Sequence, residues 1–194
     1  MSRINRFIKL TPLYIFAAVL VCFPLYQRHQ SADRAQAAAS EATQQLTQAP
    51  QATQSVIKGV PSRIILPKQG IDLSVVDGTY DTATNNWTVN PKTANYATIT
   101  PPINNTSGTT LIYGHATDAI FGSTRSLKAG DKAYVYVADN HVFEYEYTGA
   151  VTVNPTDTSV FGQLDGDPGL KLLTCSGTWS QNRRIMTFKL TKAV

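Results

Sequence analysis

The feature that most constrains this chain is a pair of apolar runs that meet at Asp139-Asn140. In KAYVYVA (132–138) and HVFEYEYTGAVTV (141–153), Tyr134, Tyr136, Phe143, Tyr145 and Tyr147 alternate with smaller or polar residues. Period-two alternation is what a half-buried strand requires, because successive side chains point to opposite faces. Two such runs joined by a pair of turn-forming residues read as a hairpin, even without the usual glycine. The texture recurs at Arg63–Pro67, Ile71–Val76 (ended by Asp77-Gly78), Trp87–Val89, Tyr96–Ile99, 109–116, 170–175 and 184–190, among Asn, Thr and Pro turns. Only Ile120–Leu127, ended by Ala129-Gly130, has any helical character. The expected fold is mostly β, a mostly antiparallel barrel or sandwich.

Before Val60 the chain has a different character. Arg3, Arg6 and Lys9 precede residues 10–27, LTPLYIFAAVLVCFPLYQ, which carry no charge. A bilayer core asks for roughly 20 apolar residues, and Phe7 and Ile8 extend the run into that range if Lys9 snorkels. Pro24, Tyr26, Gln27 and Arg28 make a poor cleavage site for a secretory signal. Residues 1–28 are therefore expected to be a basic tail and an uncleaved transmembrane anchor, with cleavage near AQAAAS (35–40) as the alternative. The basic flank puts the N-terminus in the cytoplasm and everything after residue 28 outside. Residues 29–58 are rich in Ala, Gln, Ser and Thr with hardly a large apolar side chain. They are expected to form a flexible extracellular spacer, helical only in passing. The folded domain is then 59–194.

With 15% charged residues and a net charge of +4, part of it at the extreme N-terminus, the domain shows no basic stripe interleaved with aromatics, which argues against nucleic acid. Cys22 and Cys175 are the two cysteines. One lies in the apolar run and the other in the domain, so a disulfide between them is geometrically unfavourable. Their spacing makes no zinc site, and Asp157, Asp165 and Asp167 are scattered among turn residues. No metal or other cofactor is expected.

Three residue types remain that carry chemistry. Cys175 ends the apolar run LKLLTC and precedes Ser176-Gly177. A thiol at a strand terminus can reach solvent and attack a carbonyl when a cation favours its thiolate. His115 ends a strand in IYGHATD beside Gly114, at the rim of a sheet. Arg183 and Arg184 open the last strand, so antiparallel pairing would bring that strand's start to the end of the Cys175 strand. Alternation sends the two arginines to opposite faces, so only one can meet the thiol. His141, in a turn, and Asp118, in a loop, read as ordinary exposed residues.

LLTC, with an arginine nine residues after the cysteine at the head of a strand, resembles the TLxTC…R signature of sortases, and YGHA resembles that family's Gly-His element. The order His, Cys, Arg agrees, and the resemblance spans roughly residues 60–194. Leu172-Leu173 stands where Thr-Leu-x is usual. The resemblance implies a closed eight-stranded β-barrel with short helices behind an N-terminal transmembrane helix. It also implies a cysteine transpeptidase that cuts an LPxTG-like sorting signal between Thr and Gly through a thioacyl intermediate. The partners implied are surface proteins bearing that signal and an amine acceptor, such as a lipid-linked peptidoglycan precursor or a pilin lysine. Carried over, Cys175 is the nucleophile, His115 the general acid and base, and an arginine the oxyanion donor. Arg184 is expected in that role because Ile185-Met186 follow it, with Arg183 in reserve. Thr174 and Trp179 are the expected substrate contacts. The competing readings are a hydrolytic cysteine protease and a non-enzymatic membrane-tethered β-domain with an inert thiol.

Overall fold

The computed structural model describes residues 11–48, 55–81, 86–157, 159 and 164–194. One helix, α1 (Thr11–Gln48), precedes twelve strands. In chain order these are β1 (Lys58–Gly59), β2 (Pro61–Leu66), β3 (Ile71–Gly78), β4 (Tyr80–Asp81), β5 (Asn86–Trp87), β6 (Ala94–Ala97) and β7 (Ile103–Asn104). They continue with β8 (Thr109–Gly114), β9 (Lys132–Val137), β10 (Val142–Val153), β11 (Gly169–Ser176) and β12 (Asn182–Ala193).

Eight of these close a barrel in the order β10-β12-β11-β8-β6-β3-β2-β9, and β1-β7 and β4-β5 form two small ribbons outside it. The barrel is mostly antiparallel, as expected; two of its seams, β3-β6 and β8-β11, are parallel. The Asp139-Asn140 hairpin joins β9 to β10 as the alternation indicated, with Asn140 at φ 63° in the left-handed region that asparagine tolerates. Ile120–Leu127 yields only a 3-10 turn, Gly122–Ser126.

Alternation decides which side chains fill the barrel. Ile64, Leu66, Ile112, Val135, Phe143, Tyr145, Leu172, Met186 and Phe188 are buried in one cluster in its interior. On the opposite face of β8 and β11, Leu111, Tyr113 and Leu173 form a separate cluster with Ala97 and Trp87. That outer cluster is the floor on which the candidate site stands.

Residues 29–48 were expected to be a flexible spacer, and here the structure differs. They continue α1 and dock on the outside of the barrel. Ala35, Ala38, Ala39, Ala42 and Leu46 recur at helical spacing and are buried against Ile65, Tyr134 and Val142. Alanine is small enough to bring the helix backbone close to the sheet, and it loses no rotamer freedom on burial. The Thr43 and Tyr134 hydroxyls meet at 3.2 Å across the seam. Among the described residues, which begin at Thr11, no helix is long and apolar enough to cross a membrane. The first residues of the expected anchor lie outside the described ones.

Candidate active site

The ends of three adjacent strands place Cys175 at the centre of a lateral row. β11 pairs in parallel with β8 up to Thr174 and Gly114. One further step along both strands sets His115 beside Cys175, neighbouring strands being about 4.8 Å apart. On the other flank, β12 runs antiparallel with no register shift, and Arg183 stands directly opposite Cys175. His115, Cys175 and Arg183 continue the parity of Tyr113, Leu173 and Ile185, so all three belong to the outer face. Cys175 is a free thiol and half-buried.

The two arginines are separated by this register. Arg184 was expected beside the thiol, but it pairs with Thr174 and shares the parity of Met186 and Phe188, which are buried in the barrel interior. Its Nε is buried with no hydrogen-bond partner among the described residues. The cation opposite the thiol is Arg183.

Thr174 also departs from its expected role as a substrate contact. Its side chain is buried on the inner face, and its hydroxyl donates to the Gly114 carbonyl at 2.8 Å. The residue before the nucleophile is thus tied to the residue before the histidine. Gly114 allows no side chain here, since a Cβ would lie 2.7 Å from Ile120 Cγ2 and 3.2 Å from the Phe121 ring. Past it, the Phe121 N–H donates to the His115 carbonyl at 3.1 Å, and the Gly122 N–H donates to the Thr117 carbonyl at 2.7 Å. These bonds fold the chain after β8 into a compact knuckle that fixes His115 at the rim. Asp118 is turned to Arg125, 3.6 Å away, both largely exposed.

The link from β11 to β12 is a tight excursion with three residues at positive φ: Gly177 (79°), Trp179 (60°) and Ser180 (60°). For the two that are not glycine this conformation costs of order 1 kcal/mol each. Its result is to hold Trp179 at 90% exposure beside the row of His115, Cys175 and Arg183. The Arg183 guanidinium is held from the same loop, its Nη1 donating to the Ser180 and Asn182 carbonyls at 3.1 and 3.2 Å.

The floor beside the row is apolar and walled. The Trp87 ring stands edge-on to Tyr113, centroids 5.1 Å apart, and the Tyr113 hydroxyl donates to the Thr88 carbonyl at 2.8 Å. Burial pushes the Tyr113 phenol up, partly offset by that hydrogen bond. Lys171, two residues beyond Leu173 on the same face, is buried, and burial holds its ammonium below the usual lysine range. An extended peptide lying on this floor would present a carbonyl to the thiol between an imidazole and a guanidinium. That arrangement suits acyl transfer.

Sequence reasoning held Arg183 in reserve but did not see that it stands opposite Cys175, and it missed the bond from Thr174 to Gly114. The signal for the first was the centring of the β11-β12 register on Trp179, which sets positions 175 and 183 opposite one another. The second needed the parallel β8-β11 pairing, which no local pattern announces.

A family model described as Sortase domain matches residues 64–190. Among solved structures, the chain is similar to sortase A of Listeria monocytogenes, with 25% identity over 71% of this chain and 90% of that one and a TM-score of 0.57. It is also similar to the SrtA sortase of Actinomyces oris, with 22% identity over 76% and 89% and a TM-score of 0.58. The sortase C of Clostridium perfringens, solved with the C-terminal cell wall sorting motif, shares 18% identity over 70% and 72% with a TM-score of 0.52. No curated protein gives a match.

Proposed function

The chain belongs to the sortase family, and from that premise we propose that it is a transpeptidase that cuts an LPxTG-like sorting signal between Thr and Gly. The observation that carries this reading is the lateral row of His115, Cys175 and Arg183 on one face of three adjacent strands. The Cys175 thiolate attacks the threonine carbonyl, and the carbon–sulfur bond forms as negative charge gathers on the oxygen. Arg183, anchored through Nη1, keeps Nε and Nη2 without a hydrogen-bond partner among the described residues, and these donate to that oxygen. A guanidinium keeps its charge at any working pH, so it serves as a fixed donor. His115 gives its proton to the departing glycine nitrogen as the carbon–nitrogen bond breaks. It takes a proton back from the incoming amine, whose attack on the thioester releases the thiolate.

The acceptor in this proposal is an amine outside the cell, on a cell-wall precursor or a pilin lysine. The chain acts from the membrane, with residues 10–27 as anchor. The support for the anchor is the uncharged run behind Arg3, Arg6 and Lys9. The support for a sorting-signal substrate is the motif held by the related Clostridium perfringens sortase C. Trp179 forms a wall of the groove, and Trp179→Ala is expected to raise KM while leaving kcat within about twofold.

The deciding experiment incubates the protein with an LPxTG peptide and triglycine. A ligated product, together with a covalent adduct on Cys175 by mass spectrometry, is expected, and Cys175→Ala should give neither. Hydrolysis without ligation would point to a protease, and full cleavage by Cys175→Ala would overturn the assignment.

A further inference from the structure

The barrel has two poles, and strand directions determine which elements meet at each. The C-terminal ends of β8 and β11 and the N-terminal end of β12 carry the catalytic row. From there the pairings run around the barrel: β12 is antiparallel to β10, β10 to β9, β9 to β2 and β2 to β3. The C-terminal end of β2, the turn Pro67–Gln69 and the start of β3 therefore lie at the catalytic pole. The Asp139-Asn140 hairpin and the loop before β11 lie at the other.

Helix α1 docks on the wall across the barrel from β11, and its direction is fixed by three contacts. Near its lower end, Gln27, Gln30, Ser31 and Arg34 line a cavity of about 270 Å³ with Gly70 and Asp72, at the catalytic pole. Gly70 lies so close that a Cβ there would stand 3.4 Å from Ala32 Cα. Farther along, Thr43 reaches Tyr134, and Leu46 packs in the cluster of Val142 and Val194 at the far pole. The helix is continuous from Thr11 to Gln48. Its residues before Gln27 therefore project past the catalytic pole, by roughly 24 Å at 1.5 Å per residue.

We infer that the catalytic pole faces the membrane and seats against an anionic bilayer surface. The inference rests on the proposed anchor, since the stretch that projects past this pole is the uncharged run. Gln27, the last residue of that run, lines the same cavity as Gly70 and Asp72 at the barrel's edge, so little room separates pole and bilayer. Charge agrees with the pose. Lys68, Lys92, Arg125 and Lys128 are exposed at the catalytic pole, offset in part by Asp118 beside Arg125 and Asp131 beside Lys68, whereas Asp77, Asp139, Asp165 and Asp167 are exposed at the far one, offset in part by Lys58, Lys189 and Lys192. Basic side chains at a bilayer are attracted by anionic headgroups over about a Debye length. The thiol then opens toward the lipid surface, where a membrane-borne amine reaches it without leaving the bilayer.

The test uses the full chain in a Cys22→Ser, Cys175→Ser background, reconstituted into vesicles of phosphatidylcholine and phosphatidylglycerol that carry a headgroup quencher. A fluorophore at Ser126→Cys should be quenched several-fold more strongly than one at Asp165→Cys, with Lys128→Cys and Asp139→Cys as the independent second pair. Vesicle-bound protein with equal or reversed quenching in both pairs overturns the pose and leaves the anchor standing. Protein that does not float with the vesicles overturns the anchor, and the pose with it.

Discussion

The Thr174 hydroxyl donates to the Gly114 carbonyl at 2.8 Å across the parallel seam of β8 and β11. Neither residue touches substrate in the proposed mechanism, yet each immediately precedes one that does. Thr174→Val keeps the shape and removes this buried donor from the Gly114 carbonyl. The expected cost is about 1–2 kcal/mol of stability. It should come with a fall in kcat larger than any rise in KM, and with restoration by Thr174→Ser. Thermal unfolding and steady-state kinetics on the three proteins check this.

The opposition of Cys175 and Arg183 predicts an asymmetry between neighbouring arginines. Arg183→Ala should lower kcat/KM by about 100-fold or more, the usual scale for one oxyanion donor. Arg183→Lys should rescue little, because an ammonium lacks the planar fork. Arg184→Ala should act mainly on stability. The reverse ranking in peptide-cleavage assays would return the catalytic role to Arg184.

Docking of α1 predicts opposite outcomes for two nearby alanines. Ala42 is fully buried against the barrel while Ala37 is exposed. Ala42→Glu buries a carboxylate in an apolar seam and should cost about 2 kcal/mol or more, seen as a lower Tm and as protease cleavage within residues 29–48. Ala37→Glu should be silent in both assays.

Asp131 links stability to pH at the catalytic pole. Burial alone would raise its carboxyl, but the Lys68 ammonium, the Lys128 backbone N–H and the Gln69 amide outweigh that and hold it below the usual carboxylate range. The three bonds measure 2.7, 3.0 and 3.2 Å. A depressed carboxyl contributes fully above its unfolded value of about 4 and loses that contribution as pH falls through its folded value. Asp131→Asn should therefore lower Tm at neutral pH, by about 1–3 kcal/mol in stability, and flatten the decline of Tm below about pH 4. Tm measured from pH 7 to pH 3 for both proteins decides it.

Much of this molecule can be read from residue order because strand periodicity is local. Tyr134 through Tyr147 announce β9 and β10, and the LLTC and YGHA elements lie at the ends of β11 and β8. What escaped reading depends on partners distant in sequence. Residues 29–48 look like a polar spacer because the apolar content of their buried face is four alanines and one leucine. Their docking is legible only once Ile65, Tyr134 and Val142 share one outer wall. The arginine assignment turned on a register set by a loop with residues at positive φ, whose geometry propensities do not specify.

The seam between β8 and β11 joins positions 60 residues apart, and that separation governs when the thiol becomes reactive. Contacts so remote in sequence form only after the entropy of closing a long loop has been met, which places them late among folding events. β11 and β12 can meet early as neighbours, but the imidazole arrives only with ring closure. In the proposed mechanism, a chain still emerging or still collapsing thus carries a nucleophile without its proton donor. On refolding, peptide cleavage should return in step with the slowest spectroscopic phase and never ahead of it.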